Sequence, residues 1–283
     1  MKMRALATLA LLVLTLLGCS QQSETEETDD PASAAGTASP KANELALEVS
    51  GEAYVRDGFT TKDGWELEFD RVYVTLADVV AYQVESGFDP SQSGDVETAV
   101  AVTLLPGPLA VNLAAGDESF VRAATVQDAP SGTYNALSWK LIPAQAGPAK
   151  DSTVFLGGTA AKGEQTYFFT ISFDRSLSYL CGEYVGEARK GVLEAGTDAA
   201  VEATFHFDHI FGDADAPADD EINAGAVGFE PFTAFTQGPS LIAEGLDAIQ
   251  SELTEEQYQK LTAALENLGH VGEGHCQLQA DAD

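Results

Sequence analysis

The sequence predicts a mainly β protein, an antiparallel β-sandwich of Greek-key-like build with a short helical C-terminal extension. Three observations carry this. Apolar residues alternate with polar ones at period two through most of the chain, Gly, Pro, Asp and Asn break the alternation every few residues, and apolar spacing turns helical only near the end. Many short strands with no helix between them fit a sandwich or barrel rather than a βαβ sheet. With 283 residues and 45% hydrophobic content the chain can bury a core, and three Cys are too few to replace one.

Lys2 and Arg4 precede an unbroken small and apolar stretch, residues 5–17, which closes with Leu16-Leu17-Gly18-Cys19. The stretch is too short to span a bilayer, and it lacks the polar face of a buried helix. It resembles the lipobox signal peptide of bacterial lipoproteins. The resemblance implies cleavage after residue 18, lipid (palmitate among it) on Cys19, and a membrane anchor. Ser20 after the Cys is similar to the outer-membrane type, because it is not the Asp associated with inner-membrane retention in Gram-negative lipoproteins. Removing Lys2 and Arg4 from 14 basic residues leaves 12 against 45 acidic ones, a charge of −33, and both methionines, Met1 and Met3, leave with the leader.

Residues 19–43 contain no aromatic and no large aliphatic side chain, and Glu24, Glu26, Glu27, Asp29 and Asp30 repel one another, so a disordered tether is expected. About 24 flexible residues reach roughly 25 to 30 Å, enough to hold a domain clear of the headgroups.

The β-domain is expected over 44–212. Leu45, Leu47 and Val49 alternate, as do Trp65, Leu67 and Phe69, and then Val72, Val74 and Leu76 continue in the other phase. A phase change at Asp70-Arg71 predicts a β-bulge. Further strands are expected over 99–105, 109–113, 120–126, 134–142, 153–156, 166–173, 191–194 and 200–207. An acidic loop and helical extension, residues 213–283, should pack on the sandwich. Residues 241–249 and 254–268 read as helices, the second opened by a Thr254/Gln257 capping box and stopped by Gly269. Leu253, Tyr258, Leu261, Leu265 and Leu268 form its apolar stripe.

The formal charge of −31 disfavours nucleic acid and anionic membrane faces as partners, and favours cations or simple solubility, as in a saline habitat. All four histidines lie in two short segments: His206 and His209 beside Asp208, Asp213 and Asp215, and His270 and His275 flanking Glu273 among glycines. Two close-spaced pairs from separate parts of a chain are a common way to assemble a tetrahedral metal site. Along 200–207 the alternation puts His206 and Asp208 on one face, and His209 joins them only if the strand ends or bulges there. Asp208 and Glu273 are candidate ligands, or acceptors that orient the imidazoles.

Without methionine after cleavage, a thioether Cu(I) site is excluded. Nitrogen with carboxylate suits zinc best, with Cu(II), Ni(II), Fe(II) and Mn(II) behind it. In an oxidising envelope Cys181 and Cys276 are expected to form a disulfide, with Cys276 as a metal ligand the alternative. The Asp213-Ala214-Asp215 opening matches a calcium loop poorly, lacking its Gly and final Glu. No GxSxG, HExxH, phosphate-loop or dinucleotide motif is present, so no enzyme is expected.

The resulting expectation is an envelope lipoprotein that captures or delivers a transition metal, zinc first, for a metal transporter or another envelope protein. The alternative is a structural or adhesion and assembly module in which metal only staples the last segments to the sandwich.

Overall fold

The computed structural model describes residues 43–85, 88–91, 96–116, 118–182, 191–272 and 274–279. The lipobox, Cys19, the tether up to residue 42, and Glu273 lie outside them, as does the side chain of His275. Alternating sequence becomes strand. β1 (Glu44–Ser50), α1 (Glu52–Asp57), β2 (Phe59–Thr60) and the 18-residue β3 (Glu66–Gln83) open the domain. β4 (Val100–Leu105), β5 (Leu109–Asn112), β6 (Val121–Gln127), β7 (Gly132–Tyr134) and β8 (Ala136–Leu141) follow. Then come β9 (Val154–Lys162), β10 (Gln165–Phe173), β11 (Leu177–Cys181), β12 (Gly191–Leu193) and β13 (Asp198–Phe205). The expected bulge is present: β3 shifts register against β9 between Phe69 and Arg71. This lets one strand bury Leu67 and then Val72, Val74 and Leu76.

The C-terminal part holds α2 (Asp208–Phe211), α3 (Glu221–Gly225), a 3-10 turn (Glu230–Phe235), β14 (Thr236–Gln237), β15 (Ser240–Glu244), α4 (Leu246–Glu252) and α5 (Glu255–Glu266). It ends in three short strands, β16 (Gly269–Val271), β17 (Gly274–His275) and β18 (Gln277–Leu278). Where one helix was expected over 241–249, the chain forms β15 and then α4. Leu241 and Ala243 are buried while Ile242 is exposed, a period-two pattern, and Gly245 at φ 82° turns the chain into the helix. The capping box on α5 forms as expected: Gln257 N–H donates to Thr254 Oγ1 (3.3 Å) and Thr254 N–H to Gln257 Oε1 (2.9 Å).

A five-stranded sheet runs β17-β16-β13-β1-β6, and an eleven-stranded one runs β14-β15-β10-β9-β3-β8-β11-β18, with β2, β4 and β5 also pairing along β3. β7 and β12 form a small ribbon. Ladders among the described strands are antiparallel except β1 with β13 and β10 with β15. The C-terminal segment packs on the sheets and also threads strands into both of them. One core cluster joins the sheets. Trp139 of β8 meets Phe205 of β13 (6.2 Å between ring centres), and Phe69 of β3 meets Phe207 just past β13 (6.5 Å). No helix among the described residues is long and apolar enough to cross a membrane.

Candidate metal centre

Period-two alternation ends at Phe205. Phe207 adopts a helical conformation (φ −79°, ψ −14°) and caps α2, and His209 N–H donates to the His206 carbonyl (3.3 Å). The condition for bringing His209 to His206 is thereby met by an ending strand, and the two imidazole centres stand 6.0 Å apart. Phe205 and Phe207 are fully buried on either side of His206, so the core holds the segment from both flanks.

His270 arrives on β16, which pairs with β13 at Thr204 opposite His270 and Phe205 opposite Gly269. His206 N–H extends this contact to the Leu268 carbonyl (3.3 Å). The close fit needs glycine at 269, since a Cβ there would lie 3.0 Å from the Tyr179 ring and 3.1 Å from Trp139. His270 stacks on His206 with centroids 4.1 Å apart and planes 9° from parallel, and it stands 5.0 Å from His209. Ligand nitrogens of His206, His209 and His270 all lie within 4.8 Å of one another. His270 Nε2 lies 2.9 Å from the Asn267 carbonyl, and donating its N–H there leaves the lone pair on Nδ1.

Among the described side chains three histidines converge, His206, His209 and His270; the side chain of the fourth, His275, lies outside the described residues. His275 lies opposite His270 in backbone register between β17 and β16. Asp208 is buried at 3% exposure and accepts the His209 backbone N–H (3.0 Å), which fixes the first turn of α2. It is not part of the three-histidine group. Burial, with the charges of Asp208 and Asp213 nearby, pushes the Tyr54 phenol well above its usual range, so it remains a donor, to Asp213 Oδ2 (3.2 Å).

The acidic loop after α2 folds around Asn223, whose amide donates to the carbonyls of Asp213, Ala216 and Pro217 and accepts the Asp213 N–H. Lys62 Nζ donates to the carbonyls of Asn223 and Ala226, anchoring α3, and burial lowers its pKa.

A cleft of about 430 Å³ opens onto the imidazoles. Its walls are Glu221, Ile222 and Gly225 of α3, with Ala263 and Ala264 of α5 and Asn267. Small side chains keep it open. The Cys181–Cys276 disulfide forms as expected, so neither cysteine is a thiolate ligand. It ties the end of β11 to the segment after β17, and Cys276 N–H donates to Gly269 O (3.2 Å) next to His270.

Sequence reasoning missed Glu52. Its Oε2 lies 3.6 Å from His206 Nε2. β1 and β13 run parallel with Ser50 beside Thr204, so Glu52 and His206, each two residues further on, leave the sheet together. No local pattern in the sequence signals this, because parallel neighbours are set by the fold. No family model, curated protein or solved structure matches the chain.

Proposed function

We propose that this chain is an envelope lipoprotein that binds a divalent transition metal reversibly, zinc before the others, for capture or delivery at the membrane. Three imidazoles from two distant segments at the floor of an open cleft carry the reading. Three neutral nitrogen donors suit Zn(II), whose bonds to histidine are about 2.0–2.1 Å. Donors in a tetrahedral site then stand about 3.3–3.5 Å apart, so uptake draws the rings together by at most about 1.5 Å. A surface of strong negative charge raises the local concentration of cations and supports their capture.

Carriage is favoured over a structural staple by the disulfide. The segment bearing His270 is already closed covalently onto β11, so metal is not needed to hold it. Lipid on Cys19 would keep the domain at the membrane, at the outer membrane in a Gram-negative cell, within reach of a metal transporter or another envelope protein.

Metal analysis of protein purified from its native envelope tests the reading: about one zinc per chain, removable by chelator with the fold retained, is expected. Absence of metal, or unfolding on chelation, contradicts carriage. A Cys19→Ala chain should leave the detergent phase for the aqueous phase, and unchanged partitioning contradicts the anchor.

A further inference from the structure

The geometry points to Glu52 as a fourth ligand of the metal, making the site three imidazoles and one carboxylate. The inference rests on the metal-binding reading above. Its first support is distance: 3.6 Å between Glu52 Oε2 and His206 Nε2 is close to the 3.3–3.5 Å or so that separates adjacent donors around a tetrahedral zinc. That fit is to His206 alone: the donors within 4.8 Å of one another are the three imidazoles, so the Glu52 side chain swings toward His209 and His270 as the metal binds.

The second support is the backbone. Glu52 has φ 55°, in the left-handed region that residues with a Cβ avoid, and it is held there by its N–H donating to Ser50 Oγ (3.0 Å). Gly51 before it is fixed by crowding, since a Cβ there would lie 2.4 Å from Val55 Cγ2. A glycine at position 52 would suit that conformation better, yet the chain carries a carboxylate at this point, aimed at His206. Strain of this kind persists where the side chain is needed.

The third is topology. The parallel register of β1 and β13 ends at Ser50 beside Thr204, and only Gly51 separates that end from Glu52 at the start of α1, so the sheet sets where Glu52 emerges. A carboxylate adds an anionic oxygen to three neutral nitrogens, which favours divalent ions over Cu(I) and places Zn(II), Fe(II), Co(II) and Mn(II) ahead of it.

The test uses full mature protein, its Glu52→Gln and Glu52→Gly variants, and a His206→Ala/His209→Ala control. Zinc affinity is measured by competition with a chromophoric chelator, and Co(II)-loaded protein is examined by visible absorption with and without azide. Glu52→Gly suits the positive φ and guards against misfolding of the other variant.

Both Glu52 variants should lose at least about 100-fold in affinity, more than the 10–100-fold typical of an outer partner. Azide should leave the wild-type Co(II) spectrum unchanged and alter that of the variants, which expose a coordination position. Equal azide responses in wild type and variants, or variant affinities within about 100-fold of wild type, the range of an outer partner, overturn the assignment of Glu52. If zinc binding nevertheless needs the histidines, the metal reading survives. If wild type binds no zinc, both fall.

Discussion

Replacing both disulfide cysteines by alanine probes how the C-terminal strands are held. Cys181 and Cys276 lie 95 residues apart and are both buried. Closing a loop of that length removes about 16 cal/mol/K from the unfolded chain in the entropy model, or about 4.7 kcal/mol at 25 °C. The native side is weak locally: β16 meets β13 at two register positions, and β17 meets β16 at two. With unfolding entropy of about 2.1 cal/mol/K per residue, the folded part has about 0.5 kcal/mol/K, so Tm should fall by about 9 °C. Circular dichroism melts of metal-free wild type and Cys181→Ala/Cys276→Ala read this directly. Zinc affinity should fall as well, because His270 is presented only while its segment is docked. A Tm change under about 2 °C would refute the reasoning and show that strand pairing alone secures the segment.

Three further outcomes are expected. Phe207→Ala opens a cavity beside His206 and should destabilise the protein by about 3–5 kcal/mol in urea unfolding, with weaker zinc binding; a loss below 1 kcal/mol contradicts the anchoring role. Metal-free Glu52→Gly should melt about 2 °C above wild type, since it relieves roughly 1 kcal/mol of left-handed strain; a lower Tm would mean that the Glu52 contacts outweigh the strain. Glu230 accepts from Lys162 Nζ (2.8 Å) and Trp65 Nε1–H (2.9 Å), which hold its carboxyl below the usual range. Its folded pKa is depressed, so its stabilisation is complete above the ordinary carboxylate pKa and is lost as pH falls through the folded value. Being half exposed, it contributes little, and Glu230→Gln should slightly flatten the acid limb of stability against pH.

What was legible in the sequence was local. The bulge at Asp70-Arg71 and the Thr254/Gln257 box each depend on a few neighbouring residues, and each formed, whereas the strand expected over 200–207 stops two residues earlier, at Phe205. The disulfide followed from the cysteine count and the oxidising compartment that the lipobox resemblance implies. Grouping every histidine into two segments pointed to a four-histidine site, of which His206, His209 and His270 come together among the described side chains. β15 was mistaken because Leu241, Leu246 and Ile249 also fit a helical stripe, and only the burial of Leu241 and Ala243 about exposed Ile242 separates the two periods. Glu52 was invisible because its neighbour is chosen by a parallel pairing between strands far apart in the chain. Nothing near Glu52 in sequence encodes that pairing.

Titration calorimetry of zinc into metal-free mature protein at 0.1 M salt tests the central claim, because diffuse attraction to the acidic surface is screened within about 10 Å while coordination is retained. Wild type should bind one zinc per chain, with affinity falling as pH drops through the ordinary imidazole range near 6.5. His206→Ala/His209→Ala and, separately, His270→Ala should each abolish that binding. Equal binding by wild type and variants would make the histidines bystanders and contradict the account.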